Sequence, residues 1–191
     1  MKVAVVGHVE WIRFARVEHA PASGEIVHST DDWQQAGGGG AVAAIQLALL
    51  ADEAHFFTAL GDDELGRRSR AELEERGVHV HAGLDARPQR WAFTHIDELG
   101  ERTITTVGPK VRPRGHDESL PWADLAEMDA VLFIAGDVDA LIAARRSPVL
   151  TATTRELENL RQVTLDMAAL VAAFDDIAEI EESAGLGPGP V

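Results

Sequence analysis

Four consecutive glycines, Gly37 to Gly40, run into a stretch rich in Ala and Leu that continues to about Ala51. A helix opening on such a loop presents unpaired N–H groups and the positive end of its dipole. Glycines let a ligand approach that backbone, which suits an anion or a polyhydroxylated ligand, although a flexible connector would have the same composition. Two phosphate-binding loops can be tested against it. The mononucleotide loop requires Gly-Lys-Ser/Thr, and Gly40-Ala41-Val42 does not supply it. The dinucleotide fingerprint is met formally by Gly38, Gly40 and Ala43, with Asp62 as the acidic residue. The preceding residues Asp31 to Gln35 are too polar for the buried strand which that fingerprint needs.

Other groupings could hold a metal. His79 and His81 alternate along one predicted strand, as do His95 and Asp97, so each pair could supply two ligands. A solvated strand face accounts for the same spacing. Asp62, Asp63 and Glu64 could be a carboxylate cluster for Mg²⁺, or a turn followed by a helix cap at the favourable end of the dipole. The chain contains neither His-Glu-x-x-His nor Gly-x-Ser-x-Gly. It has no Cys, which excludes a disulfide framework, thiolate zinc and cysteine nucleophiles.

These residues need a scaffold. Lys2 to Gly7, His55 to Gly61, Asp129 to Gly136 and Pro148 to Thr154 read as buried strands. Helices are expected from Gly40 to Ala51, Glu64 to Gly77 with Leu65, Ala71 and Leu73 inside, Val138 to Arg146, and onward from Arg155. Strands alternating with helices predict an α/β fold around a mainly parallel sheet. Trp11–Val17, Glu25–Trp33, Val78–Gly83, Trp91–Leu99 and Arg102–Val107 are further strands. Those with one half-exposed face form a small additional sheet over an edge or end of the first. Residues 109–121 carry three Pro and read as a loop.

Charge narrows the partners. The 191 residues carry 17 Lys+Arg against 32 Asp+Glu, a formal net charge of −15, which argues against unaided nucleic-acid binding. No apolar run is long enough to span a bilayer and no cleavable leader is evident, so no membrane partner and a cytoplasmic location are expected. Residues 162–191 hold six acids and no Lys or Arg. Met167, Leu170, Val171, Phe174 and Ile177 share one helical face there, predicting an acidic amphipathic helix over 162–184 and a flexible tail over 185–191. That helix would pack on the open edge of the parallel sheet.

An ordered set of short motifs spans residues 2 to 155: Val5-Val-Gly7, Ala15-Arg-Val17, Gly24-Glu25, the Gly37–Ala41 loop, Ala59 to Gly66, Leu73 to Val78, and the hairpin around Leu99-Gly-Glu-Arg102. In order and spacing it resembles the amino-terminal part of the PfkB/ribokinase family of carbohydrate kinases. The resemblance implies a ribokinase-like three-layer fold over 1–161, with a β lid from strands at about 11–36 and 91–107. It implies ATP- and Mg²⁺-dependent phosphoryl transfer to a hydroxyl of a sugar or nucleoside, and possible homodimers through the lid strands.

Carried over residue by residue, the substrate-binding positions are Glu10, Gly37, Gly38, Gly39 and Gly40, with Asp137 next by its place at the end of a buried strand. Glu10 stands where the family often has Asn, Ile12 where Asp is usual, and Val42 in the Asn position of Gly-Gly-x-x-x-Asn. The family's Asp-Thr-x-Gly-Ala-Gly-Asp segment, with its base and anion hole, does not occur in these residues. The expectation is therefore a truncated kinase, inactive or incomplete as this chain, with no catalytic residue assigned. The alternative is a non-catalytic ligand-binding or dimerisation module that retains the lid and acceptor half.

Overall fold

The computed structural model describes residues 1–164, 166–172 and 181. In chain order the strands are β1 (Lys2–Val6), β2 (Glu10–Arg16), β3 (Asp31–Gly37), β4 (Glu53–Gly61), β5 (Val78–Asp85), β6 (Trp91–Ile96), β7 (Arg102–Val107), β8 (Ala130–Phe133), β9 (Leu150–Thr153) and β10 (Ala169–Val171). The α-helices are α1 (Gly39–Leu50), α2 (Glu64–Glu75), α3 (Val138–Ala144) and α4 (Leu157–Leu160).

β1, β4, β5, β8, β9 and β10 form one sheet in the order β10-β9-β8-β1-β4-β5, with every pair parallel. Alternation along β1 divides its core. Val5 joins Phe56, Leu60, Leu73 and Val78 beneath α1 and α2. Ala4 and Val6 join Phe57, Val131, Phe133 and Leu141 on the other face. The ribokinase-like layering of helices around a parallel sheet is thus present.

A second sheet, β3-β2-β6-β7, carries the half-exposed strands. β2 pairs antiparallel with β3 and parallel with β6, and β7 closes the outer edge antiparallel to β6. The strand expected over Glu25–Trp33 is displaced to Asp31–Gly37. The register places Trp33 opposite Phe14, and their rings stack at 4.8 Å. This explains why Asp31 to Gln35 is polar: it is an antiparallel strand of the smaller sheet, not a buried parallel one. On α2, Leu73 is buried and Leu65 half-buried as expected, but Ala71 is exposed while Ser69 lies inside.

At residues 169–171 the chain departs from the helix expected over 162–184. Ala169, Leu170 and Val171 form β10, paired with Thr151, Ala152 and Thr153 of β9. An open parallel edge leaves unpaired N–H and C=O groups, and a strand satisfies them where a helix would not. Val163, Met167 and Leu170 pack against the core as partly buried residues. Phe174 and Ile177, the other members of the proposed helical face, and the tail over 185–191 lie outside the described residues.

Candidate functional site

The parallel strands end together at one rim. There β1 passes through Gly7, His8 and Val9 into β2, and α1 begins directly beside that turn. A Cβ on Gly40 would lie 2.7 Å from the His8 backbone N and O and 2.9 Å from the Gly7 carbonyl carbon. Backbone thus packs on backbone, which only glycine permits. Gly38 has φ +82°, in the left-handed region. A Cβ on Gly37 would collide with Ile12, and one on Gly39 would crowd Ile134. The glycine run is what lets α1 start against the β1–β2 turn.

Two buried polar atoms at that turn have no hydrogen-bond partner among the described residues: His8 Nδ1 and Arg90 Nε. His8 is 8% exposed and its ring lies against Gly38 and Gly39. Its Nε2 is 3.8 Å from Glu10 Oε1, and Arg90 Nε is 3.0 Å from the same oxygen. The Arg90 contact is an ion pair whose N–H does not point along the N···O line, which reconciles the short distance with the unpartnered nitrogen. Burial, followed by the nearby charges of Lys110, Arg90, Arg112 and Arg155, pushes the His8 pKa down to about 3. His8 is therefore a neutral imidazole among cations.

Those cations continue into a pocket of about 440 Å³ lined by Arg87, Lys110, Arg112, Arg114 and His116, with Gly136, Asp137 and Asn159. Most have carboxylate partners. Arg87 pairs with Asp85 at 2.5 Å, which holds the Asp85 carboxyl down at about 2. Arg112 stands 3.7 Å from Glu156, a carboxylate only 3% exposed that also accepts a 2.8 Å hydrogen bond from Asn159 Nδ2. Burial pushes the Glu156 pKa up, opposed by Arg112. Lys110 differs. Among the described residues no carboxylate lies within ion-pair distance of it; burial and then Arg112 lower its pKa, opposed at longer range by Glu156 and Glu10. A half-buried ammonium without a close counter-ion favours an anionic ligand.

Asp137 also lines this pocket, but its Oδ1 accepts the N–H groups of Ala140 (2.8 Å) and Gly115 (2.9 Å). It caps α3 and ties down the loop before Asp117. Donor atoms of His116, Asp137 and Asp139 lie within 4.8 Å of one another. They do not fit Mg²⁺: one Asp137 oxygen is already doubly engaged, and the pocket beside them is lined with guanidinium groups. Asp63, from the other acidic group, caps α2 through Gly66 and accepts the N–H of Gln89.

Glu10 and the glycine loop thus meet around His8, whereas Asp137 belongs to the basic pocket. Neither His8 nor the basic residues of the loop, Lys110, Arg112 and Arg114, nor Arg90, Glu156 and Asn159, stand out in the sequence. Two cues were available: Lys110 is one of only two lysines, and three basic residues alternate from 110 to 114.

Residues 1–181 match the pattern of the pfkB family carbohydrate kinase. A ribokinase of Dictyostelium discoideum is 28% identical over 108 residues, which are 56% of this chain and 34% of that protein. An ATP-dependent ribose-1-phosphate kinase of Halopiger xanaduensis is 39% identical over 125 residues, 62% of this chain and 42% of its own. The chain thus matches less than half the length of either relative. In fold it is similar to the ribokinase of Thermotoga maritima, with TM-score 0.73 at 18% identity over 96% of this chain and 63% of that one.

Proposed function

The chain belongs to the pfkB family of carbohydrate kinases, and we propose that it holds the acceptor of an ATP-dependent phosphoryl transfer, a small sugar that already carries a phosphate group. The observation that carries this reading is Lys110, half-buried and with no carboxylate of the described residues at ion-pair distance, beside Arg90, Arg112 and His8 Nδ1, which has no hydrogen-bond partner among those residues. In a chain of net charge −15, cations gathered at the rim of the parallel sheet are placed to meet an anion. The Glu10–Arg90 pair, His8 and the sheet formed by β3, β2, β6 and β7 would bound the sugar hydroxyls. One relative is named as a ribose-1-phosphate kinase, which is consistent with this choice. A carbohydrate kinase of this kind would use ATP with Mg²⁺.

Calorimetric titration tests it. Ribose 1-phosphate should bind about tenfold or more tightly than ribose, the value of one charge-assisted contact. Lys110→Ala should erase most of that difference while ribose binding stays unchanged. Equal affinities for sugar and phosphosugar would refute an anionic acceptor, and binding of nucleosides alone would redirect the reading to them.

The exposed edge favours a second reading beside the first: pairing of two copies through the smaller sheet, with or without catalysis. All six residues of β7 are exposed and Ile104 is 51% exposed. An uncovered edge strand is a template for another strand. Sizing by light scattering should show a dimer that Ile104→Lys converts to monomer; a monomeric parent chain would end the idea.

A further inference from the structure

At the opening residues of β4 and β5, away from the rim, three imidazoles share one face of the sheet. His55 stands opposite His79 in the register, and His81 follows two residues later. His55 Nδ1 lies 3.0 Å from His81 Nε2, with the two ring planes within 5° of parallel. His79 stacks on His55 at 4.8 Å between centroids. On its far side, His55 Nε2 is 3.4 Å from Glu53 Oε2.

The proton count of this group is informative. Glu53 is an acceptor, so it holds the His55 proton on Nε2 and leaves Nδ1 as a bare lone pair. That lone pair points at His81 Nε2, which must supply the single proton between them. A carboxylate behind an imidazole whose other nitrogen faces a second imidazole is the outer arrangement found at metal-ligating histidines. Burial lowers the pKa of both His55 and His81, keeping them neutral at pH 7, the form that ligates. Lys2 and Arg70 stand near, offset by Glu53 and Asp124.

We propose that His55 Nδ1 and His81 Nε2 chelate a borderline transition-metal ion, Zn²⁺, Ni²⁺ or Cu²⁺, with Glu53 fixing the tautomer and His79 the nearest additional imidazole. With metal–nitrogen bonds of about 2.0–2.1 Å the ion sits off the line joining the two nitrogens, and small side-chain rotations that open their separation to about 3.4 Å turn both lone pairs toward it. The proton displaced from His81 Nε2 is taken up at its Nδ1, so a neutral ring stays neutral. Mg²⁺ prefers oxygen ligands and is not bound here. The ion would clamp the edge strand β5 to β4, and the proposal does not depend on the kinase reading.

Calorimetry of the metal-free full chain with Zn²⁺, then Ni²⁺, should show one ion per chain, a raised melting temperature, and no response to Mg²⁺. His55→Gln and His81→Gln should each weaken binding about tenfold or more, as should Glu53→Gln through the outer partner, while His95→Gln does not. His81→Cys retains a donor and should keep Zn²⁺ binding, which guards against reading a folding defect as ligand loss. Absence of any Zn²⁺ or Ni²⁺ response, or an affinity untouched by His55→Gln and His81→Gln in folded protein, would overturn the assignment.

Discussion

Acidification from pH 7.5 to pH 4 should cost the fold about 3 kcal/mol through His8 alone. The folded pKa is about 3 and the ordinary value is 6.5. Because the folded value is depressed, the unfolded chain binds the proton first. Stability is full above pH 6.5, declines as the unfolded ring protonates, and stops declining below about 3, where the folded ring protonates too. His55 and His81 shift in the same direction, whereas Glu156, raised by burial, shifts in the opposite one. The His8 share is therefore read as a difference: urea unfolding of the parent chain and of His8→Asn across that range. The variant should start less stable and converge on the parent as pH falls. Parallel profiles would mean that His8 is not held neutral by its surroundings. A phosphate ester bound among Lys110, Arg90 and Arg112 should raise the His8 pKa, because it offsets the charges that depress it.

That coupling links the fold to the proposed acceptor site, and it explains how much was legible beforehand. The alternation of β1, β4, β8 and β9 with α1, α2 and α3 follows from apolar periodicity, which is local. Strand register does not. The pattern of polar and apolar residues around Trp33 permits several placements of β3, and the stack of Trp33 on Phe14, with Arg16 over the same ring at 5.8 Å, selects one. The tail shows the converse. Met167, Leu170 and Val171 have helical spacing, yet the open edge of β9 draws Ala169–Val171 into a strand. Tertiary demand overrides local period there.

The site divides along the same line. Glu10 and the glycines could be named because their motifs are contiguous. The cation cluster could not, because Arg87 comes from the loop after β5 and Lys110 and Arg112 from the loop after β7, and they gather only when β5, β8 and β9 end at one rim. The glycines also carry a meaning that their sequence leaves ambiguous. Gly37 makes room for Ile12 and Gly40 for the His8 backbone, so the run serves close packing whether or not a ligand touches it.

Gln89 should prove the most costly single polar residue to replace, at about 4 kcal/mol for Gln89→Met, since two buried backbone groups lose their partners at about 1–3 kcal/mol each and the side chain's own bonds go with them. It is 2% exposed. Its Oε1 accepts the Gly61 N–H at 3.0 Å, its Nε2 donates to the Val9 carbonyl at 2.8 Å, and its own N–H donates to Asp63 Oδ2 at 2.9 Å. One residue thus joins the end of β4, the β1–β2 turn and the cap of α2, immediately before β6 enters the smaller sheet. No side chain fits at Gly61, where a Cβ would collide with the Gln89 backbone, so the connection is also sterically closed. Met preserves length and apolar volume while removing both amide functions, which separates hydrogen bonding from packing. If Gln89→Met unfolded within 1 kcal/mol of the parent, these bonds would be dispensable and the smaller sheet would be positioned by β2 alone. With the expected loss, the Gly61 amide should exchange hydrogen faster and the emission of Trp91 should shift. Phosphosugar affinity should fall too, since Arg90 and Trp91 follow Gln89 directly along the chain.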